Sequence, residues 1–150
     1  MNYSPILAPI IALVTWTLVV MLWMVVTRLP AMKRAGIDLK SRVGGRGANL
    51  EGVLPDAVMW KSHNYIHLVE QPTIFYAVAL ALALMDMGYG INLYLAWAYV
   101  GLRIIHTLIQ ATYNRVMHRF LVFGLSSLCL LGLTVHASAR ILYDCGILHF

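Results

Sequence analysis

Charged residues are scarce in this chain. Of its 150 residues, 11% are Asp, Glu, Lys or Arg and 61% are hydrophobic, and the mean hydropathy is +0.76. A soluble domain carries roughly 25% charged residues, and a domain of this size exposes too much surface for so few charges to cover. The composition therefore excludes an ordinary soluble enzyme and a disordered chain.

Cysteine and acidic residues are also rare. The two cysteines, Cys129 and Cys145, predict no disulfide framework, and each is interpreted as a small buried hydrophobic residue. The 6 acidic residues stand against 11 Lys and Arg residues, which makes the net charge +5. Because the basic residues are not interleaved with aromatic residues, this excess favours an anionic membrane face and predicts no nucleic-acid partner.

Four long stretches of the sequence are almost free of charge. Residues 5–27 have no charged side chain over 23 positions, and a bilayer core of about 30 Å needs about 20 apolar helical residues. Residues 62–85 and 87–114 contain one charge each, and residues 120–139 contain none. Since backbone groups in lipid must be satisfied within the segment, these stretches are predicted to be helices. We expect an all-α integral membrane four-helix bundle in a single domain, with transmembrane spans at about 5–28, 62–86, 90–113 and 119–142.

The basic residues lie on alternate sides of these spans. Seven Lys and Arg residues lie between positions 28 and 61, none lies in the second connector, and Arg115 and Arg119 lie in the third. By the positive-inside rule, the first and third connectors face the cytoplasm and both termini lie outside. The cytoplasmic loop is expected to cover residues 30–60.

This first connector differs in composition from the spans. It contains the glycine-rich run 44–47 and the basic residues Lys33, Arg34, Lys40, Arg42 and Arg46. The run has neither the Walker spacing nor the dinucleotide-binding spacing that a phosphate-cradling loop after a strand has. We interpret the connector as a cytoplasmic loop that contacts lipid phosphates.

Polar residues in the second and third spans are placed to meet one another. At 100° per residue, each of two sets falls within about 60° on one helix face: His63, His67 and Glu70, and Arg103, His106 and Gln110. Glu70 lies ~12 Å and Arg103 ~16 Å from the cytoplasmic span ends, so the two can form an ion pair. Ionisable groups at this depth mark functional sites by default. Two interpretations stay open, an ion pair that fixes helix register and a polar pocket open to the cytoplasm.

Two further groups of polar residues have alternative interpretations. Four residues of the third connector and the start of the fourth span either extend to the membrane surface or form an anion clamp: Asn114, Arg115, His118 and Arg119. The spacing of the two histidines and Glu70 in the second span would suit a metal, but no thiolate or second carboxylate accompanies them. No metal site is therefore predicted.

Two segments resemble the signatures of a known membrane family. Residues 63–76, which read His-Asn-Tyr-Ile-His-Leu-Val-Glu-Gln-Pro-Thr-Ile-Phe-Tyr, resemble the second-span signature of the membrane-associated proteins in eicosanoid and glutathione metabolism, the MAPEG family. Residues 103–107, followed by Asn114, Arg115 and Arg119, resemble the third-span and loop signature of that family. The resemblance covers roughly residues 60–142, and the sequence of this stretch is similar to that of bacterial members of the family.

The resemblance implies a homotrimer of four-helix subunits in the bacterial inner membrane, with periplasmic termini and with glutathione bound as co-substrate in a cleft between subunits. It implies a glutathione transferase or peroxidase, in which the glutathione thiolate attacks an apolar electrophile or reduces a lipid hydroperoxide. Arg119 would be the catalytic residue that stabilises the thiolate. The glutathione-binding residues would be His63, His67, Glu70, Arg103, His106, Gln110, Asn114 and Arg115, among which Glu70 holds the amino end.

Four positions of this site differ from the pattern of the glutathione-using members. His67 stands where those members have asparagine, His63 where they have arginine, and Gln110 and Phe123 where some have tyrosine. An alternative function therefore stays open, a non-catalytic membrane protein that binds a lipid or small anion in the same intersubunit cleft. A small four-span transporter is a third class, but its key glutamate would lie in the first span, where residues 5–27 have no ionisable side chain.

Overall fold

The computed structural model describes residues 3–40 and 43–147, and Arg42 of the predicted basic loop lies outside the described residues. Within those two ranges the chain forms four α-helices and one short 3₁₀ turn, without any strand. The helices are α1 (Leu7–Arg34), α2 (Asp56–Leu84), α3 (Gly90–Ala111) and α4 (Val116–Asp144), and the 3₁₀ turn is Gly47–Leu50. The predicted all-α fold with four helices is confirmed.

Three of the helices, α1, α2 and α4, are long and apolar enough to cross a membrane. The 22 residues of α3 extend about 33 Å, which also matches a bilayer core, but polar side chains lower the hydropathy of this helix. Asn92, Arg103, His106 and Gln110 of α3 are all buried within the bundle. α3 therefore turns its polar groups toward the other helices, as a membrane-embedded helix must.

Two helices run beyond the spans that hydropathy predicts. α1 continues past position 28 to Arg34, and α2 begins at Asp56, ahead of position 62. Hydropathy marks where a helix leaves the lipid, whereas helical hydrogen bonding continues until a residue interrupts it. Gly36, with a φ of 70°, ends α1 by letting the Ile37 N–H donate to the Met32 carbonyl at 3.1 Å. The connector between α1 and α2 is accordingly shorter than residues 30–60.

The core of the bundle is built on one face of α2. Leu68, Phe75, Ala79 and Leu82 are buried there at helical spacing. The Phe75 ring stacks on the Tyr99 ring of α3 with 4.5 Å between their centroids. The outer faces of α1 and α4 leave many large apolar side chains exposed, as expected for surfaces that meet lipid or another subunit.

Both cysteines are free. Cys129 is half-buried on α4, whereas Cys145 is exposed at the end of that helix. The interpretation of Cys145 as a buried residue is wrong, because Cys145 follows the last residue of α4 and lies beyond the packed part of the bundle.

Candidate functional site

Arg103 of α3 is fully buried, and neutral groups hold its guanidinium. Its Nη1 donates to Gln71 Oε1 at 3.2 Å, and its Nη2 donates to the His67 carbonyl at 2.7 Å and contacts His67 Nδ1 at 3.3 Å. The Phe123 ring of α4 lies 5.9 Å from its Cζ, which is within cation–π range. Gln71 is held in turn, because its Nε2 donates to Ser127 Oγ of α4 at 2.8 Å. A single cation thus ties α2, α3 and α4 together.

The predicted ion pair between Glu70 and Arg103 is wrong. Glu70 is exposed on α2, and no ion pair joins it to Arg103 in the part of the chain that the structure describes. Successive residues of a helix point about 100° apart, so a matching depth does not ensure a matching direction. Gln71, the next residue, faces Arg103 instead. An uncharged amide therefore takes the place predicted for the carboxylate.

His67 of α2 and His106 of α3 stack beside this cation. Their ring centroids are 5.1 Å apart with 22° between the ring planes, and the Phe123 ring lies edge-on to His67 at 5.3 Å. Because arginine only donates hydrogen bonds, its contact with His67 requires Nδ1 to accept, which places the His67 proton on Nε2. The outer ring nitrogen of His67 is consequently a donor.

Arg119 lies in the first turn of α4 and is oriented by the residues that precede the helix. Its Nη1 donates to Asn114 Oδ1 at 2.5 Å. Asn114 has a φ of 52°, a conformation that asparagine tolerates, and its N–H donates to the Ile109 carbonyl at 2.8 Å. The Arg119 Nε is buried and has no hydrogen-bond partner among the described residues. The turn thus fixes Arg119 and leaves one of its donors unused.

A cavity of about 180 Å³ separates Arg119 from the two stacked histidines. Its lining residues are His67, His106, Val116, Arg119, Phe120 and Phe123. None of these residues carries a carboxylate. Two of the polar groups have a fixed hydrogen-bonding role, and both the Arg119 guanidinium and the His67 Nε2 are donors. The other side chains around them are mostly apolar. This lining favours an anionic group attached to an apolar or compact body.

The cavity gathers part of the predicted site. His67, His106 and Arg119 line it, Arg103 holds His67, and Asn114 holds Arg119. These five residues come from α2, α3, the third connector and α4, so the fold brings together groups that lie far apart in sequence.

The other predicted site residues do not line this cavity. His63 Nε2 contacts Glu51 Oε1 of the first connector at 3.1 Å. Arg115 is exposed immediately before α4, and Glu70 is exposed on α2. Gln110 is only 5% exposed, and its Oε1 has no hydrogen-bond partner among the described residues.

Several residues that line or support the cavity were not predicted from the sequence. Gln71 and Ser127 fix Arg103, and Val116 and Phe120 line the cavity. The apolar spacing of α2 was an available signal for Gln71, because buried residues at 68, 72 and 75 turn position 70 away from the core. No comparable signal separates Val116 and Phe120 from the other apolar residues of α4.

These features define an integral membrane protein of the helical-bundle type, with a donor-lined cavity between three of its helices. The sequence model of the MAPEG family matches residues 6–139, and the chain therefore belongs to the MAPEG family. The matched range includes every residue that lines the cavity. No curated protein and no solved structure matches the chain.

Proposed function

We propose that the cavity binds the thiol of glutathione as a thiolate and that the protein is a glutathione-dependent transferase or peroxidase. The observation that carries this proposal is that the Arg119 guanidinium and His67 line one cavity, where no described lining residue has a carboxylate. A cation near sulfur lowers the pKa of a thiol and raises the population of the nucleophile. Membership of the MAPEG family supports glutathione as the source of that thiol.

Two reactions are compatible with a thiolate at this position, and both use an apolar second substrate from the membrane. In conjugation, the sulfur forms a bond to an electrophilic carbon while the bond to the leaving group breaks with its electron pair. In peroxide reduction, the sulfur attacks the O–O bond of a lipid hydroperoxide, yielding a sulfenic acid and an alkoxide that takes up a proton. A second glutathione thiol then condenses with the sulfenic acid, which yields a disulfide and water.

Equilibrium binding of glutathione to detergent-purified protein tests this proposal. Arg119→Ala removes the donor and is expected to weaken binding roughly 10- to 100-fold, the usual contribution of a hydrogen bond to a charged group. Arg140→Gln is the matched control, because Arg140 lies on the same helix but pairs with Asp144 at an exposed site. Absence of saturable binding by the wild type at millimolar glutathione, or equal losses in both variants, would contradict the proposal.

The non-catalytic alternative has an observation in its favour. His63, which stands at the arginine position of the glutathione-using members, contacts Glu51 rather than the cavity. The resemblance predicts that His63 binds glutathione, but its Nε2 already contacts a carboxylate of the same subunit. If the protein binds glutathione but forms no product with any apolar electrophile or hydroperoxide, and a lipid displaces the bound glutathione, this alternative replaces the catalytic proposal.

We also propose that the subunits assemble as a homotrimer. The cavity of about 180 Å³ is smaller than the roughly 300–1,000 Å³ of typical ligand pockets, so one subunit encloses only part of a glutathione molecule. Val116 and Phe120 are exposed at its edge, where a neighbouring subunit would complete a cleft. Native mass spectrometry in mild detergent is expected to give trimers, and a spectrum of monomers or dimers alone would count against this assembly.

We propose that the first connector faces the bacterial cytoplasm, with the termini in the periplasm, because the basic residues concentrate on that side. Val43 is 99% exposed and avoids the strained φ of the glycines beside it, so Val43→Cys is a suitable probe in a background without Cys129 and Cys145. It should resist an impermeant thiol reagent added to intact cells. Tyr89→Cys, in the opposite connector and 50% exposed in the wild type, should react. The reverse labelling pattern would overturn this orientation.

A further inference from the structure

A second cavity lies apart from the histidine cluster, between α1 and the glycine-rich run of the first connector. We call it the basic pocket, and its volume is about 170 Å³. Its lining residues are Arg28, Met32, Leu39, Gly44, Gly45, Arg46, Gly47 and Leu50. It shares no residue with the cavity around Arg119, so nothing in the proposed function accounts for it.

Arg28 is the fixed cation of the basic pocket. Its Nη1 donates to the buried Ser62 Oγ of α2 at 2.8 Å, and its Nη2 contacts the Gly47 carbonyl at 3.5 Å. A guanidinium has five N–H donors, so these two contacts orient the side chain and leave further donors for a ligand. Among the described residues that line the pocket, none carries a carboxylate.

The glycines allow the backbone to close around this cation. A Cβ at Gly47 would lie 3.3 Å from Arg28 Nη2, which is tighter than ordinary contact, so a side chain there requires the guanidinium to shift slightly. Gly44 and Gly45 have φ values of 70° and 113°, in the region of positive φ that favours glycine. The glycines of the run 44–47 are therefore explained by backbone conformation and by the close approach of Arg28, although the run has no nucleotide-binding spacing.

The position of the pocket indicates the kind of anion that it takes. Arg28 follows immediately after the 23 uncharged positions of residues 5–27, at the level where a helix leaves the hydrocarbon. Three residues before Arg28, on the lipid side and about 60° away around α1, Val25 is 38% exposed, so an acyl chain can lie beside the pocket. A free anion would make no use of this apolar surface, whereas a lipid can contact both parts.

We propose that the basic pocket binds the phosphate of an anionic phospholipid, with Arg28 as its principal ligand and Arg46 as a second charge. Arginine suits this role because its fork of donors matches phosphate geometry. Fixed binding of a lipid at this position would also hold the connector against the membrane surface, beside the start of α2.

Native mass spectrometry of the purified protein, titrated with phosphatidylglycerol, phosphatidylcholine or inorganic phosphate, tests the proposal. Phosphatidylglycerol should bind preferentially, and Arg28→Gln should weaken its binding about tenfold or more. Gly47→Ala keeps both arginines but crowds the Arg28 guanidinium, and it should weaken binding less than Arg28→Gln does. Lys33→Gln removes one exposed charge from the last turn of α1, outside the pocket, and should leave binding nearly unchanged.

Three results would overturn the proposal. Equal losses in Lys33→Gln and Arg28→Gln would reduce the effect to general attraction between a basic surface and anionic lipid. Equal binding of phosphatidylcholine and phosphatidylglycerol would remove the requirement for an anionic lipid. Binding of inorganic phosphate as tight as that of phosphatidylglycerol would assign the pocket to a free anion. Circular dichroism of Gly47→Ala establishes that a loss of binding in this variant is not a loss of fold.

Discussion

Replacing Gln71 by leucine is expected to destabilise the protein more than replacing Arg103 by methionine, although Arg103 is the larger and more deeply buried residue. Gln71→Leu removes an acceptor and leaves a buried cation with only the His67 groups. Arg103→Met removes the charge itself and leaves neutral acceptors behind. An unsatisfied buried charge costs more free energy than an unsatisfied neutral group. Gln71→Leu is therefore expected to be the more destabilising of the two variants.

The expected magnitudes can be separated by experiment. Gln71→Leu should lower the free energy of unfolding by about 2–4 kcal/mol, and Arg103→Met by about 1–2 kcal/mol. The double variant should recover part of the sum, because replacing both partners by apolar groups removes the mismatch. Ser127→Ala is the control, since it removes the second hydrogen bond of Gln71 and leaves the one with Arg103. It should cost about 0.6–1.7 kcal/mol, the range for interhelical hydrogen bonds in membranes.

Thermal unfolding in a single detergent checks these values for the three single variants and the double variant. Strictly additive losses in the double variant would show that Gln71 and Arg103 do not interact. A larger loss for Arg103→Met than for Gln71→Leu would mean that the cation stabilises the bundle through groups other than these acceptors.

The helices of this protein are largely predictable from its sequence, and the reason is the bilayer. Lipid cannot satisfy backbone polar groups, so long uncharged runs such as residues 5–27 have one structural solution. The ends of the helices are less predictable. Arg34 and Asp56 remain helical outside the predicted spans, because water permits a helix to continue as readily as to end.

The Arg103 site shows what depth and charge alone cannot determine. Both Glu70 and Gln71 lie at a depth that Arg103 can reach, and electrostatics favours the glutamate. Packing decides otherwise, because Leu68, Pro72 and Phe75 bury one face of α2 and turn Glu70 outward. A correct prediction requires the rotation of the helix about its axis, which the apolar spacing defines more reliably than the charges do.

Contacts made by the first connector are harder to predict than those between the helices. Glu51 reaches His63, and Gly47 contacts Arg28, across a segment without regular spacing. Such contacts depend on the path of an irregular loop, and no periodicity in the sequence encodes that path. The prediction that His63 and His67 share a face was based on helical spacing alone. It did not take into account that a residue of the connector could contact His63.

Removing the guanidinium of Arg119 is expected to abolish the ionised state of bound glutathione. Arg119 is the cation that lines the cavity, and Arg103 reaches this region only through His67 and the Phe123 ring. With Arg119→Ala, the donor that remains with a fixed role is His67 Nε2, an uncharged N–H group that stabilises a thiolate far less than an adjacent cation does. Arg119→Lys keeps a charge but lacks the planar fork that reaches Asn114 and the cavity together, so an intermediate effect is expected.

The proposed thiolate can be measured by the ultraviolet difference spectrum on addition of glutathione to the purified protein at neutral pH. With each protein near saturation, a saturable thiolate absorbance is expected in the wild type and in Arg140→Gln, a reduced one in Arg119→Lys, and none in Arg119→Ala. A wild-type protein that binds glutathione without any thiolate absorbance would contradict the proposal, and so would an undiminished signal in Arg119→Ala.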